Sequence, residues 1–355
     1  MPRLRRADCA APGIARRRRG RGFEYRDPDG ERVEDHEALE RIAQLAIPPA
    51  WREVWISLDS LGHLQATGID AAGRKQYLYH ERWRAHRDRL KFDSMLTFGR
   101  ALPRLRRHVA RELARDLKPG AARVNAGELT RERVLACSVR LLDVGFFRIG
   151  SEDYAERNES YGLTTMLREH VTIVRGEIVF DFPAKSAQRR IQEIADEGAL
   201  AVVAALKRRR GGSQLLAYRA AAGWVDLHAE DVNAYIKQCA GGEFTAKDFR
   251  TWNATVLAAV ALAATDPHAL SRPARARAVS NAIKTVAAYL GNTPAVCRAS
   301  YVDPRVIDRY QAGLTIADTL SELPAGGPEL ADARIRGRIE SAVLEMLADA
   351  SHSHQ

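Results

Sequence analysis

The apolar positions change period near residue 98. Between residues 21 and 97 they come in short alternating runs bounded by turn residues, the pattern of strands. Phe23 and Tyr25 alternate ahead of the turn Asp27-Pro28-Asp29-Gly30, and Val54 to Ile56 reads as a strand. Residues 63–68 and 74–79, joined by a turn at 70–73, read as a hairpin. A short helix is predicted over 37–45, stopped by Pro48-Pro49. From 98 to about 320 the spacing is helical: Leu102, Leu105, Val109 and Leu113 fall on one face, and a second apolar helix is predicted over 131–147. Further helices are predicted over 187–209, 230–239, 246–264 and 274–290, with Gly241-Gly242 and Gly291 as C-caps and Thr245 as an N-cap. Thr293-Pro294 opens another helix. One β island interrupts this series, where Val171 and Ile173 pair across Arg175-Gly176 with Ile178, Phe180 and Phe182.

These elements give an α+β fold class. A β-rich N-terminal domain occupies 21–97, and a larger, mainly α-helical domain occupies 98–325. Residues 1–20 hold Arg3, Arg5, Arg6 and the run Arg16 to Arg19 with almost no apolar content, and read as a flexible arm. Such an arm is either a solvated tail or a non-specific phosphate contact. Residues 326–355 read as a last amphipathic helix and a polar tail.

Charge narrows the partners. A net charge of +10 over 355 residues favours a polyanion, nucleic acid or an anionic membrane surface. No run of about 18 apolar residues and no secretory leader is visible, which points to a cytoplasmic protein. Cys9, Cys137, Cys239 and Cys297 lie far apart, without the spacing of a zinc or redox pair. No phosphate-loop, H-E-x-x-H or two-metal acidic motif occurs, and the histidines are scattered. Neither a nucleotide cofactor nor a metal is therefore expected. Lysine is scarce among the 55 basic residues; either codon usage simply favours arginine, or a surviving lysine marks a place where a removable proton is wanted.

Four motifs then stand in order. They are Phe147-Arg148-Ile149-Gly150 with Tyr154 and Asn158-Glu159-Ser160-Tyr161-Gly162-Leu163; Phe182-Pro183-Ala184-Lys185; Lys247-Asp248-Phe249-Arg250-Thr251; and Gly291-Asn292-Thr293-Pro294 followed by Tyr301. Together they resemble the type IB DNA topoisomerases of the compact, poxvirus-like and bacterial kind, over most of residues 22–320. The resemblance implies a C-shaped clamp around double-stranded DNA, acting as a monomer without an obligate partner. It implies Tyr301 as nucleophile, Arg148 and Arg250 as phosphate-binding arginines, Lys185 as general acid, and Tyr154 and Lys247 as DNA contacts. Where the viral members carry histidine this chain has Asn292, which donates a hydrogen bond but does not titrate.

The residue types suit a bond-conserving strand break. A tyrosine stores the phosphodiester energy as a phosphotyrosyl link. Its phenol, with a reference pKa of about 10, attacks best where cations favour the phenolate. Arginine forks onto non-bridging oxygens without losing its proton. Lysine in a cationic site gives a proton to the leaving 5′-oxygen. In the N-terminal hairpin Arg74, Lys75, Gln76, Tyr77 and Tyr79 mix basic, amide and aromatic groups, with Lys75, Tyr77 and Tyr79 on one face. That face is either a DNA-reading surface or an ordinary half-buried β surface, and the matching strand in the family touches DNA. The rival activity is that of a tyrosine recombinase, which shares this chemistry. Recombinases usually carry H-x-x-R where this chain has Lys247 to Arg250, and their N-terminal domain is helical.

Overall fold

The structure is a computed structural model that describes residues 2–115, 124–152, 155, 159–185, 188–324 and 332–348. The chain divides into two compact units, 1–93 and 94–355.

In the first unit five antiparallel strands form one sheet in the order β2-β1-β3-β4-β5. They are β1 (Ile14–Arg19), β2 (Gly22–Arg26), β3 (Arg52–Ile56), β4 (Leu64–Ile69) and β5 (Lys75–Tyr79). Helix α1 (His36–Gln44) starts at Asp35, whose carboxylate accepts from Glu37 N–H. Cross-strand register aligns Ile14, Ile56, Ala66 and Leu78 in one row, and these pack with Val54 and with Ile42 of α1 as the unit's core. The adjacent row, Ala15, Trp55, Thr67 and Tyr77, points to the other face.

Strand β1 corrects the reading of residues 1–20 as a flexible arm. Only Ile14 and the stem of Arg16 turn inward. The Arg16 guanidinium lies 4.1 Å from the Phe23 ring and donates to the carbonyls of Ile47, Pro48 and Trp51 at 3.1, 3.0 and 2.8 Å. An arginine that caps three carbonyls replaces the apolar residue by which a strand is usually recognised. Farther upstream, Arg5 bridges to Gly62.

The β-rich stretch also ends earlier than 97. Helix α2 (Glu81–Ala114) begins with about three turns of mainly polar, solvent-facing residues, and its buried stripe starts only at Phe92, Met95 and Leu96. The helical period is therefore invisible before residue 92. The division between the units falls inside this helix.

The second unit is mainly helical. Helix α3 (Arg131–Gly145) leads to a three-stranded antiparallel sheet of β6 (Val171–Val174), β7 (Glu177–Ala184) and β8 (Gln188–Ile194). Helix α4 (Glu197–Arg208), the hairpin β9 (Ala217–Ala220) and β10 (Gly223–Asp226), and helix α5 (Ala229–Ala240) follow. Next come α6 (Ala246–Ala263), α7 (Arg272–Leu290), α8 (Pro294–Ser300), α9 (Pro304–Gln311), α10 (Ala317–Ser321) and α11 (Ala333–Ala348). The expected helix over 187–209 is half wrong: its first part is β8, a strand whose polar residues break the alternation of apolar groups, and the hairpin β9–β10 was not anticipated. Thr245, Gly241 and Gly291 cap the helices as expected.

Helix α6 is the centre of this unit, with Phe249, Arg250, Trp252, Asn253 and Thr255 all buried. Behind it lies a charged network. Asp143, near the end of α3, takes two bonds from Arg106 (2.9 and 3.0 Å) and one from Arg336 of α11 (2.6 Å). Glu340 of α11 accepts from Arg106 and from the Trp252 indole at 3.1 Å, and Asn253 donates to the Asp143 carbonyl at 2.9 Å. The network thus ties α11 to α3, which leads into Arg148, and to α6, which carries Arg250. Burial alone would raise the Asp143 carboxyl, but Arg336 and Arg106 hold it at about 2. That is below the ordinary ~3.9 of an unfolded aspartate. Its stabilisation is therefore complete above that value and is lost as pH falls toward 2. Asp143→Ala removes one of the two carboxylates shared by Arg106 and Arg336, leaving Glu340, and is expected to cost about 3–5 kcal/mol. Urea unfolding at neutral pH measures this, and an unchanged midpoint would refute it.

Candidate active site

Arg148 is set by backbone geometry on both sides. Helix α3 stops at Phe146, a non-glycine residue in the left-handed region (φ 52°). Local strain of this kind persists where the surroundings fix it, and here the Phe146 carbonyl accepts from Arg250. Phe147 then turns inward onto Phe180, 4.8 Å between ring centroids, and Arg148 turns out. Beyond it, Leu163 and Thr164 donate to the carbonyls of Arg148 and Ile149, both at 2.8 Å. This approach needs glycine at 162, because a Cβ there would lie 2.4 Å from Gly150.

The same bridging segment reaches Lys185. Tyr161 N–H donates to the Pro183 carbonyl (2.9 Å) and Ser160 Oγ to that of Ala184 (3.1 Å). The stretch 160–164 therefore couples the backbone of Arg148 to the end of β7. Lys185 follows β7 directly and is exposed. With Arg148, Arg190 and Gly291 it lines a cleft of about 730 Å³.

Arg250 sits in the second turn of α6 and is 3 % exposed. Its Nη2 donates to the Leu290 carbonyl at 2.8 Å, and its guanidinium carbon lies 5.2 Å from the centre of the Tyr301 ring. Burial first, and Arg148 second, push this guanidinium down to about 10, with Tyr301 pulling it back up. Arg148 donates through Nη2 to the Gly291 carbonyl at 3.0 Å and to Asn292 Oδ1. That bond orients the Asn292 amide with its Nδ2 turned away, buried and without a partner among the described residues, as is Nε of Arg250.

Tyr301 caps the C-terminus of α8, a helix opened by Thr293 and Pro294. Its carbonyl accepts from Thr255 Oγ1 of α6 at 3.3 Å. The next helix, α9, starts at Asp303, fully buried and paired with Arg305 at 2.8 Å. The nucleophile candidate is thus held between two capped helices and against the central one, its side chain half-buried beside Arg250.

The structure gathers Arg148, Arg250, Asn292 and Tyr301 around the carbonyl end of α7, and brings Lys185 to the cleft beside Arg148. Lys247 is exposed on α6 and does not line that cleft. Tyr154 and Asn158 lie outside the described residues. In the first unit Lys75, Tyr77 and Tyr79 share an exposed face of β5, with Tyr77 46 % and Tyr79 37 % exposed and their rings stacked at 6.2 Å. Arg74 and Gln76 are held by Asp70 instead, each at 2.9 Å. Sequence reasoning missed Arg190 and the Asp143 network. Among the described residues no three His, Cys, Asp or Glu side chains converge as a metal site, and no helix is long and apolar enough to cross a membrane.

Residues 80–322 match the family model of the eukaryotic DNA topoisomerase I catalytic core. A DNA topoisomerase 1B of Acanthamoeba polyphaga mimivirus is 30 % identical over 306 residues, 84 % of this chain and 88 % of that protein. The chain belongs to the type IB DNA topoisomerases. Residues 22–70 match the bacterial DNA topoisomerase IB N-terminal domain. As a type IB topoisomerase it is an isomerase that binds DNA. The catalytic-core match contains Arg148, Lys185, Arg250, Asn292 and Tyr301. Strand β1 precedes the N-terminal match, and helix α11 follows the core match.

Proposed function

We propose that this topoisomerase relaxes supercoiled duplex DNA by transient cleavage of one strand, with Tyr301 as nucleophile and without ATP or a metal ion. The Tyr301 phenol releases its proton to solvent as its oxygen bonds to the scissile phosphorus and the bond to the 5′-oxygen breaks, leaving a 3′-phosphotyrosyl link. Lys185 gives its proton to the departing 5′-oxygen. The freed end rotates about the intact strand, and the 5′-hydroxyl then attacks the link in the reverse step. Arg148, Arg250 and the Asn292 amide hold the non-bridging oxygens as charge builds on them. The exposed face of β5 contacts the duplex, and the enzyme works as a monomer on cytoplasmic DNA.

The observation that carries this reading is the Arg250–Tyr301 pair beside Arg148 and Asn292. The buried Arg250 guanidinium lies against the Tyr301 ring, and Nε of Arg250 and Nδ2 of Asn292, without partners among the described residues, are donors that a phosphate would satisfy. The missing nucleotide and metal motifs support the independence from cofactors. Plasmids of either supercoil sign are expected to relax in EDTA without ATP. Agarose gels read this, and complete loss of relaxation in EDTA would overturn it.

A further inference from the structure

The last carbonyls of a helix have no partner within the helix. At the end of α7 three consecutive ones are each taken by an arginine from a different element. Arg190 of β8 donates through Nη2 to Tyr289 at 2.5 Å. Arg250 of α6 takes Leu290 and Arg148 takes Gly291. The negative end of the helix dipole favours cations there. Two of these arginines are the proposed phosphate ligands, and the third has no role in that scheme.

The placement of Arg190 is tightly fixed. Its Nε donates to Gln192 Oε1 on the same strand at 3.1 Å, so both edges of the guanidinium are set. It lies opposite Phe182 in the β7–β8 register, on the hairpin whose β7 strand leads into Lys185, and it lines the same cleft as Lys185 and Arg148. Its Nη1 stands 2.5 Å from where a side chain at position 291 would begin. Gly291 itself is left-handed, φ 59°, so the arginine closes over a backbone that only glycine fits comfortably. Burial first, and the charge of Arg148 second, push Arg190 down to about 10, which agrees with cations crowded around one helix end.

We propose that Arg190 is a positioning residue for strand cleavage: it pins the Lys185 hairpin to the carbonyl end of α7 and so keeps Gly291, Asn292 and Arg148 in register with Arg250. It acts through those groups. The inference rests on the reaction proposed above, and a Tyr301→Phe protein that still formed adducts would remove that basis independently of anything Arg190 does.

The test uses the full chain and an oligonucleotide duplex that is cleaved once. Arg190→Ala, Arg190→Lys and Gly291→Ala are compared for single-turnover cleavage at saturating enzyme. Non-covalent affinity is measured with each change in a Tyr301→Phe background, and thermal midpoints monitor folding. Arg190→Ala is expected to slow cleavage on the order of 10²-fold, the cost of misplacing a reacting group by about an ångström, with affinity little changed. Arg190→Lys keeps a donor for Tyr289 but loses the fork, and should recover part of the rate. Gly291→Ala should slow cleavage as well, and the double variant should be no worse than the poorer single one, as for two changes at one corner. Wild-type cleavage by Arg190→Ala would overturn the proposal, as would a defect confined to affinity. Should Arg190→Ala fail to fold, a folded Arg190→Lys with no rate defect would overturn it equally.

Discussion

Tyr301→Phe is expected to bind duplex DNA as the parent does and to form no covalent adduct. The substitution removes one oxygen and keeps the ring that lies over Arg250, so the packing between α8, α9 and α6 stays intact. Affinity for DNA rests on many phosphate contacts, none of which is the phenol. The adduct rests on that oxygen alone, and no other group in the proposed site can replace it as nucleophile. Labelled duplex resolved on a denaturing gel reads the adduct, and equilibrium binding reads the affinity. An adduct at parental yield would move the chemistry to another residue.

Lys185→Ala tests the proton. An alkoxide leaves badly unless it is protonated, and removal of a general acid typically costs about 10²–10⁴-fold in rate. Replacing the bridging 5′-oxygen with sulfur gives a thiolate that departs with little help. Lys185→Ala should therefore cleave ordinary DNA slower by that factor and recover most of the loss on the sulfur-substituted strand. Arg148→Ala and Arg250→Ala should recover much less, because their proposed contacts are to non-bridging oxygens. The structure suits this division. Both arginines are bonded to backbone carbonyls, whereas Lys185 is exposed at a strand end fixed by Ser160 and Tyr161. Equal defects on the two substrates would make Lys185 a phosphate-binding cation or a bystander.

The candidate catalytic set could be proposed from sequence because it is carried by short motifs whose residue types the proposed chemistry demands. The helical unit was legible because Leu102, Leu105, Val109 and Leu113 fall at helical spacing and because α6 and α7 have capped ends, Thr245 and Gly291 among them. Strand β1 was hidden because Arg16 does the work of an apolar residue by capping carbonyls. Strand β8, and Arg190 with it, was hidden because a polar strand beside a helix start looks like more helix. The Asp143 network was hidden because burial of charge depends on partners far apart in sequence: Arg106, Asp143 and Arg336 meet only in the folded unit. The second half of the first motif had a role that spacing does not reveal, since residues 160–164 bridge Arg148 to Lys185.

The central claim is a covalent link between Tyr301 and a 3′-phosphate. It is tested most directly by trapping the enzyme on a duplex cleaved once, digesting the complex, and sequencing the DNA-linked peptide by mass spectrometry. Parallel reactions carry the label at either end of the cleaved strand. The account predicts that the modified residue is Tyr301, that the 5′-labelled part of the strand stays with the protein, and that the 3′-labelled part is released with a 5′-hydroxyl. A linked peptide lacking Tyr301, or retention of the 3′-labelled part, would contradict it.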